Sequence, residues 1–265
     1  MNECCRQELP KIYTVSGTVL EGAGIKSIYL KGSFFCKPGQ FIMVWIPEVD
    51  EKPMAVAHIA KTEFAFAYHS IGPFTKACDA LKPGDKIGIR GPYGKPFSLR
   101  KNSIVVAGGI GITSVAMLIE SLSSPRIIYG ARDKSQLIYQ KRFKHMRITT
   151  DDGSVGMKGL VIDALRIEIL EKKPAIVYTC GPEVMNRKVF ELCEQHHIDC
   201  EASLERYMKC GFGICGNCMV DDHILCTEGP VFPSRVLRKM KEFGSTARLK
   251  TGRKAPLKEY YAWRS

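Results

Sequence analysis

Four cysteines, Cys210, Cys215, Cys218 and Cys226, stand as C-x4-C-x2-C-x7-C, and no other feature of this 265-residue chain limits its fold so sharply. The first three spacings are those of a plant-type [2Fe-2S] loop, in which thiolates on one tight loop converge on one iron and the fourth closes the other. The residues between them are GFGI and GN, so Gly211, Gly213 and Gly216 let backbone N–H groups approach inorganic sulfides. Structural zinc is the rival ligand, since it too takes four cysteines, but it is usually built from two C-x2-C knuckles rather than a C-x4-C opening. The remaining cysteines are an N-terminal pair, Cys4 and Cys5, and scattered singles at 36, 78, 180, 193 and 200, which is not the pattern of a secreted disulfide scaffold. The start MNECCRQELPK lacks an apolar signal-peptide core. These features together predict a reducing, cytoplasmic compartment.

The distribution of apolar residues divides the rest of the chain. With 45% apolar and 25% charged residues the composition is globular. Up to Arg100 the apolar runs are short and separated by turns: 13–20, 27–31, 40–46, 54–60, 64–70 and 86–90. Six short strands at this spacing predict a small antiparallel β-barrel, with one helix at 76–81. From Ser103 the rhythm changes to strands at 104–107, 126–129, 146–150, 175–179 and 199–203. Helical patterns at 113–122, 134–144, 160–171 and 183–196 alternate with them. That alternation predicts a doubly wound parallel sheet. The predicted units are residues 10–101, 102–204 and 205–265, the last holding the cysteine loop and a tail with ten Lys/Arg against three Glu after Cys226. The longest uncharged run, Ser103 to Ile119, is broken by Gly108, Gly109 and Gly111, so no membrane helix is expected.

Within the second unit, Ile104–Ala107 runs into GGIGIT, Gly108 to Thr113, and then into an amphipathic helix. Such a turn brings the backbone N–H groups of Gly109, Gly111, Ile112 and Thr113 toward a dinucleotide pyrophosphate, although a tight β-to-α turn also uses glycine for steric reasons alone. A second strand runs into Cys180-Gly181-Pro182 and another helix, which places both turns at the carboxyl ends of parallel strands, where ligands bind. Arg132 is a candidate for adenosine-side contact or a solvated loop arginine. Asp151 and Asp152 open a glycine turn and are assigned a structural role, and His196-His197 end a helix where a cation is favoured.

The combination of GPYG (91–94), AGGIGIT, TTDDGSVGMKG (149–159), YTCGPEVM (178–185), KCGFGICGNC and CTEGPVF resembles the ferredoxin-NAD(P) reductase superfamily. Within it, the chain is most similar to the electron-transfer subunits of dihydroorotate dehydrogenase B, over nearly its whole length. The resemblance implies FAD on the barrel, NAD on the parallel-sheet domain and a C-terminal [2Fe-2S] cluster. It also implies an FMN-containing catalytic subunit as partner, in a heterotetramer of two copies of each. In this family an Arg-Pro-x-Ser strand holds the flavin; the matching positions here read Lys52, Pro53, Met54 and Ala55. Lysine keeps the charge but loses the bidentate fork, and alanine loses a hydroxyl. The family's second flavin motif, Gly-x-Gly-Thr, reads Gly72, Pro73, Phe74 and Thr75. Tyr68, His69, Phe74 and Thr75 are flavin candidates on this ground, and Cys180, Gly181 and Pro182 line the nicotinamide position.

Hydride transfer from NADH to a flavin needs orientation rather than acid-base machinery, and no catalytic triad, supported carboxylate pair or H-E-x-x-H pattern is present. No catalytic side chain is therefore assigned. One alternative is another NAD(P)H-linked flavin and iron-sulfur reductase, whose ferredoxin-reductase members often carry Asp where Cys210 stands. The other is a zinc-stabilised basic nucleic-acid-binding module, raised by a net charge of +12; it leaves the glycine turns unexplained, so neither nucleic acid nor membrane is expected as a partner. The apolar residues Val236, Leu237, Met240 and Phe243 lie at helical spacing in the basic tail, which predicts a helix docked either on the catalytic partner or on its own domain.

Overall fold

Alternating apolar residues close the N-terminal unit on itself. The computed structural model describes residues 9–22 and 24–264, so Cys4 and Cys5 lie outside the described residues. Strands β1 (Lys11–Gly22), β2 (Ile25–Lys31), β3 (Phe41–Ile46), β4 (Asp50–Ile59), β5 (Glu63–His69) and β6 (Lys86–Tyr93) form a closed antiparallel barrel in the order β1-β2-β5-β4-β3-β6. Their inward residues, among them Val15, Ile28, Leu30, Ile42, Val44 and Phe66, are fully buried in one cluster. Between β5 and β6 lies helix α1 (Pro73–Ala80), which starts earlier than the predicted 76–81 because Pro73 supplies a preset first helical residue.

The second unit carries β7 (Ser103–Gly108), α2 (Gly111–Ser121), β8 (Arg126–Ala131), β9 (Arg147–Thr150), β10 (Met157–Lys158), α3 (Val161–Glu171), β11 (Ile176–Cys180), α4 (Glu183–Gln195) and β12 (Asp199–Ser203). The strands pair in parallel, with β7 central between β8 and β11. The predicted helix at 134–144 does not form. Asp133 instead accepts a hydrogen bond from the Ser135 N–H (2.8 Å), closing a 3-10 turn at Lys134–Gln136, and Tyr139 takes a left-handed backbone (φ 59°). Leu137, Ile138 and Phe143, which mimic helical periodicity, are each buried against α2 and β8. Arg142 then lies against the rings of Tyr139 and Phe143 and donates to the Ala57 carbonyl of the barrel (3.0 Å).

The last unit contains β13 (Met219–Val220), β14 (His223–Ile224), α5 (Leu225–Glu228), β15 (Val231–Pro233), α6 (Ser234–Leu237), β16 (Thr246–Arg248), β17 (Lys254–Pro256) and α7 (Leu257–Arg264). It is not a free appendage, because β15 pairs antiparallel with β12 and completes a seven-stranded sheet. The tail residues expected to form a docking helix fold inward: Leu237, Met240 and Phe243 are buried with Val189 and Phe190 of α4, and α6 spans only four residues. The own-domain alternative is the one the structure adopts. None of the helices formed by the described residues is long and apolar enough to cross a membrane.

Candidate functional site

The cysteine loop is seated on the barrel by close backbone approach. Gly211 has φ +85°, and a Cβ there would meet Met43 Cγ of β3 at 2.7 Å; Gly213 has φ +92° and a Cβ there would meet Thr227 at 2.9 Å. Both positions therefore require glycine. Farther along, the Lys95 N–H donates to the Gly229 carbonyl (2.5 Å), and a Cβ on Gly94 would meet Pro230 at 2.6 Å. The GPYG and EGPVF motifs are thus two sides of one contact.

The four thiols gather two by two. Electrostatically, Cys210 couples to Cys215 and Cys218 to Cys226. Burial opposes ionisation of Cys210, yet backbone N–H groups of Cys215, Phe212 and Ile214 point at its sulfur and bring the thiol down to about 6. The Cys218 thiol is brought down to about 7, chiefly by its interaction with Cys226, whose own thiol is pushed well up by the same interaction. Thiolates paired on one loop and surrounded by backbone N–H donors fit a two-iron cluster, in which each iron takes two cysteines. This pairing differs from convergence of three thiolates on one iron. Cys218 and Cys226 are buried, whereas Cys215 and its neighbour Ile214, which is 77% exposed, face outward.

The two glycine turns meet back to back. A Cβ on Gly111 would lie 2.3 Å from the Cys180 carbonyl, and one on Gly181 would lie 3.0 Å from the Gly108 nitrogen. Close packing of α2 against β11 is what demands glycine here. Beside them opens a cleft of about 630 Å³ lined by Gly108, Gly109, Arg132, Thr149, Asp151 and Pro182, with Ile25 and His69 contributed by the barrel. Ile112 and Thr113 are buried, the Thr113 N–H and hydroxyl both donate to the Ile110 carbonyl (2.9 and 2.8 Å), and the Ile112 N–H donates to the Gly109 carbonyl (3.4 Å), so those two shape the turn. Asp151, assigned a structural role from sequence, lines the cleft; Asp152 does hold the turn, accepting from the Ser154 N–H (2.9 Å). Cys180 is buried, and burial pushes its thiol up to about 11.

The candidate flavin residues divide. At the start of α1 the Thr75 hydroxyl accepts from the N–H groups of Ile71 (3.0 Å) and Gly72 (2.9 Å), which shapes a helix N-terminus suited to an anion. Phe74 turns into the barrel core. Tyr68 is buried and donates to Asp79 (3.0 Å), which also pairs with Lys26. On β4, Lys52, Pro53, Met54 and Ala55 stand opposite Val44, Met43, Ile42 and Phe41. The Lys52 ammonium pairs with Asp50 and lies 5.8 Å from the centre of the Tyr207 ring.

Several residues escaped sequence reasoning. Arg90 of β6 forms a two-pronged pair with Glu51 of β4 and donates to the Cys210 carbonyl (2.9 Å). Arg206 forms a buried pair with Glu183. Neither has a local signal, since the partners lie far apart in sequence.

Comparison with known proteins agrees with this geometry. Residues 205–238 match a family model described as the iron-sulfur cluster binding domain of dihydroorotate dehydrogenase B. A Methanocaldococcus jannaschii protein named probable dihydroorotate dehydrogenase B (NAD(+)), electron transfer subunit, is 41% identical over 93% of this chain and 98% of its own length. A Methanopyrus kandleri protein of the same name is 42% identical over 82% of this chain and 86% of its own. Among solved structures, an NADH-dependent reduced ferredoxin-NADP oxidoreductase superposes with a TM-score of 0.76 at 26% identity, over 85% of this chain and 89% of the other.

Proposed function

The chain belongs to the family of electron-transfer subunits of dihydroorotate dehydrogenase B, and on that premise we propose that it carries electrons between a catalytic subunit and NAD through a [2Fe-2S] cluster and FAD. The observation that carries this reading is the place of the barrel. It contributes Ile25 and His69 to the nucleotide cleft, while Met43 and Arg90 hold the cysteine loop. A flavin on this barrel is therefore within one body that touches both its donor and its acceptor. When bound, the flavin exchanges a hydride with the nicotinamide and single electrons with the iron-sulfur centre.

The chain's own residues then bind and orient. The turn of Gly108, Gly109, Gly111, Ile112 and Thr113 at the N-terminus of α2 shapes the seat of the NAD pyrophosphate, with Gly108 and Gly109 lining the cleft, and Arg132 meets the adenosine side. Cys180, Gly181 and Pro182 border the nicotinamide. Buried and with its thiol raised to about 11, Cys180 stays neutral and acts as an apolar wall. Lys52 and the α1 N-terminus at Phe74 and Thr75 neutralise the flavin phosphates. Pro53, Met54, Ala55, Tyr68 and His69 border the flavin ring. Cys210, Cys215, Cys218 and Cys226 ligate the cluster. The working units are residues 10–101, 102–204 and 205–265, although β15 of the third is built into the sheet of the second.

The partner is an FMN-containing catalytic subunit in a heterotetramer of two of each chain, in the cytoplasm, and it docks where Ile214 and Cys215 are exposed. Co-expression with that subunit tests this: dihydroorotate-dependent reduction of NAD should require both chains and disappear with either alone. Undiminished activity without this chain would overturn it.

A further inference from the structure

We propose that Arg90 is a positioning residue for the cluster, fixing the first ligand and setting the cluster's reduction potential through its charge. The residue lies in β6 and is only 8% exposed. Its Nε donates to Glu51 Oε1 at 2.7 Å, Nη2 donates to Glu51 Oε2, and Nη2 also donates to the Cys210 carbonyl at 2.9 Å. Its guanidinium carbon lies over the Phe212 ring, 5.3 Å from the ring centre, two residues beyond that ligand. Tyr93 completes the surround, its hydroxyl 3.4 Å from Nη1. One barrel side chain thus holds the loop on both sides of Gly211, through the Cys210 carbonyl and the Phe212 ring, where the loop presses on Met43.

A buried guanidinium that spends its fork on one carboxylate and still reaches a third acceptor is held in one orientation. The cation touches the cysteine loop, and the carboxylate touches the cation. Reduction adds an electron to the cluster, and the protein sets the potential through net charge, hydrogen bonds and exposure. A poorly screened positive charge at the first ligand favours the reduced form, and the Glu51 carboxylate moderates it. Removing each member of the pair therefore has opposite consequences. Arg90→Gln leaves Glu51 uncompensated beside the loop and lowers the potential. Glu51→Gln leaves the cation unmoderated and raises it.

The test is potentiometric titration of the purified, cluster-loaded protein and its Arg90→Gln, Arg90→Lys and Glu51→Gln variants, followed by electron paramagnetic resonance of the reduced cluster. Arg90→Gln should disfavour reduction about tenfold, which for a one-electron couple is about 59 mV downward. Glu51→Gln should shift the potential upward. Arg90→Lys should restore most of the potential yet keep an altered resonance line shape, since it keeps the charge and loses the fork. Equal iron and sulfide content in each variant shows that the cluster is present, which separates failure of this proposal from failure of the cluster assignment. Unchanged potentials in both Gln variants, or shifts of the same sign, overturn the proposal. If Arg90→Gln assembles no cluster, Glu51→Gln decides alone, and no upward shift there overturns it.

Discussion

Arg206 and Glu183 form a pair removed from water almost completely, with side-chain exposures of 0% and 2%. Glu183 opens α4 directly after the Cys180-Gly181-Pro182 turn, and it also accepts from the Gly244 N–H (2.8 Å). Taking away one member of a buried pair strands the other charge, at a cost of about 3–5 kcal/mol. Arg206→Met should therefore lower the denaturation midpoint sharply, whereas exposed Arg253→Met, which breaks the surface pair with Glu259, should change it little. Buried thiols give the stability a pH dependence of definite sign. Burial raises Cys36 and Cys78 to about 12 and Cys180 to about 11, from an ordinary value near 9. Their folded forms hold protons that the unfolded chain releases above that value, so stability present below pH 9 is lost as the pH climbs toward 11 and 12. Denaturant titrations at pH 8 and pH 10 should show the loss, and Cys78→Ala should reduce it.

At the scale of elements, the contact between α2 and β11 is the most demanding, because Gly111 cannot carry a side chain without moving the Cys180 carbonyl. Gly111→Ala should push α2 off the second glycine turn and weaken NAD binding by calorimetry at least tenfold while leaving the iron content intact. Unchanged NAD affinity would separate the cleft from that turn. The two glycine turns, though not their mutual contact, were legible in the sequence, as were the barrel strands and the parallel sheet, because each rests on local periodicity or on glycine after an apolar strand. The segment 134–144 was misread for the same reason: Leu137, Ile138 and Phe143 imitate a helical stripe, but the Asp133 turn and the left-handed Tyr139 spend those residues one at a time in the cluster with α2 and β8. Pattern reports which residues are buried before it reports in what backbone.

Across the whole molecule, the three units are stitched by contacts between residues far apart in the chain. Arg90 meets Cys210, Lys95 meets Gly229, and Arg142 meets Ala57. Long-range pairs of this kind leave no trace in a sequence window, which is why the cluster ligands were legible and their support was not. The tail belongs to the same stitching: the Tyr261 hydroxyl accepts from the Glu183 N–H (3.1 Å), and the Thr246 carbonyl accepts from Arg206 (3.3 Å). Truncation after Gly244 should therefore destabilise the nucleotide domain itself, read as a lower thermal midpoint without any partner present. An unchanged midpoint would return the tail to the role of a separate docking element.

The central claim is that one chain unites nucleotide, flavin and cluster in a working relay, and anaerobic titration of the purified protein with NADH, followed in the visible spectrum, tests it most directly. The account predicts iron and acid-labile sulfide in equal amounts, releasable FAD, and bleaching of the flavin and cluster bands together as NADH is added. Zinc in place of iron, or a cluster and flavin that NADH leaves oxidised, would contradict it.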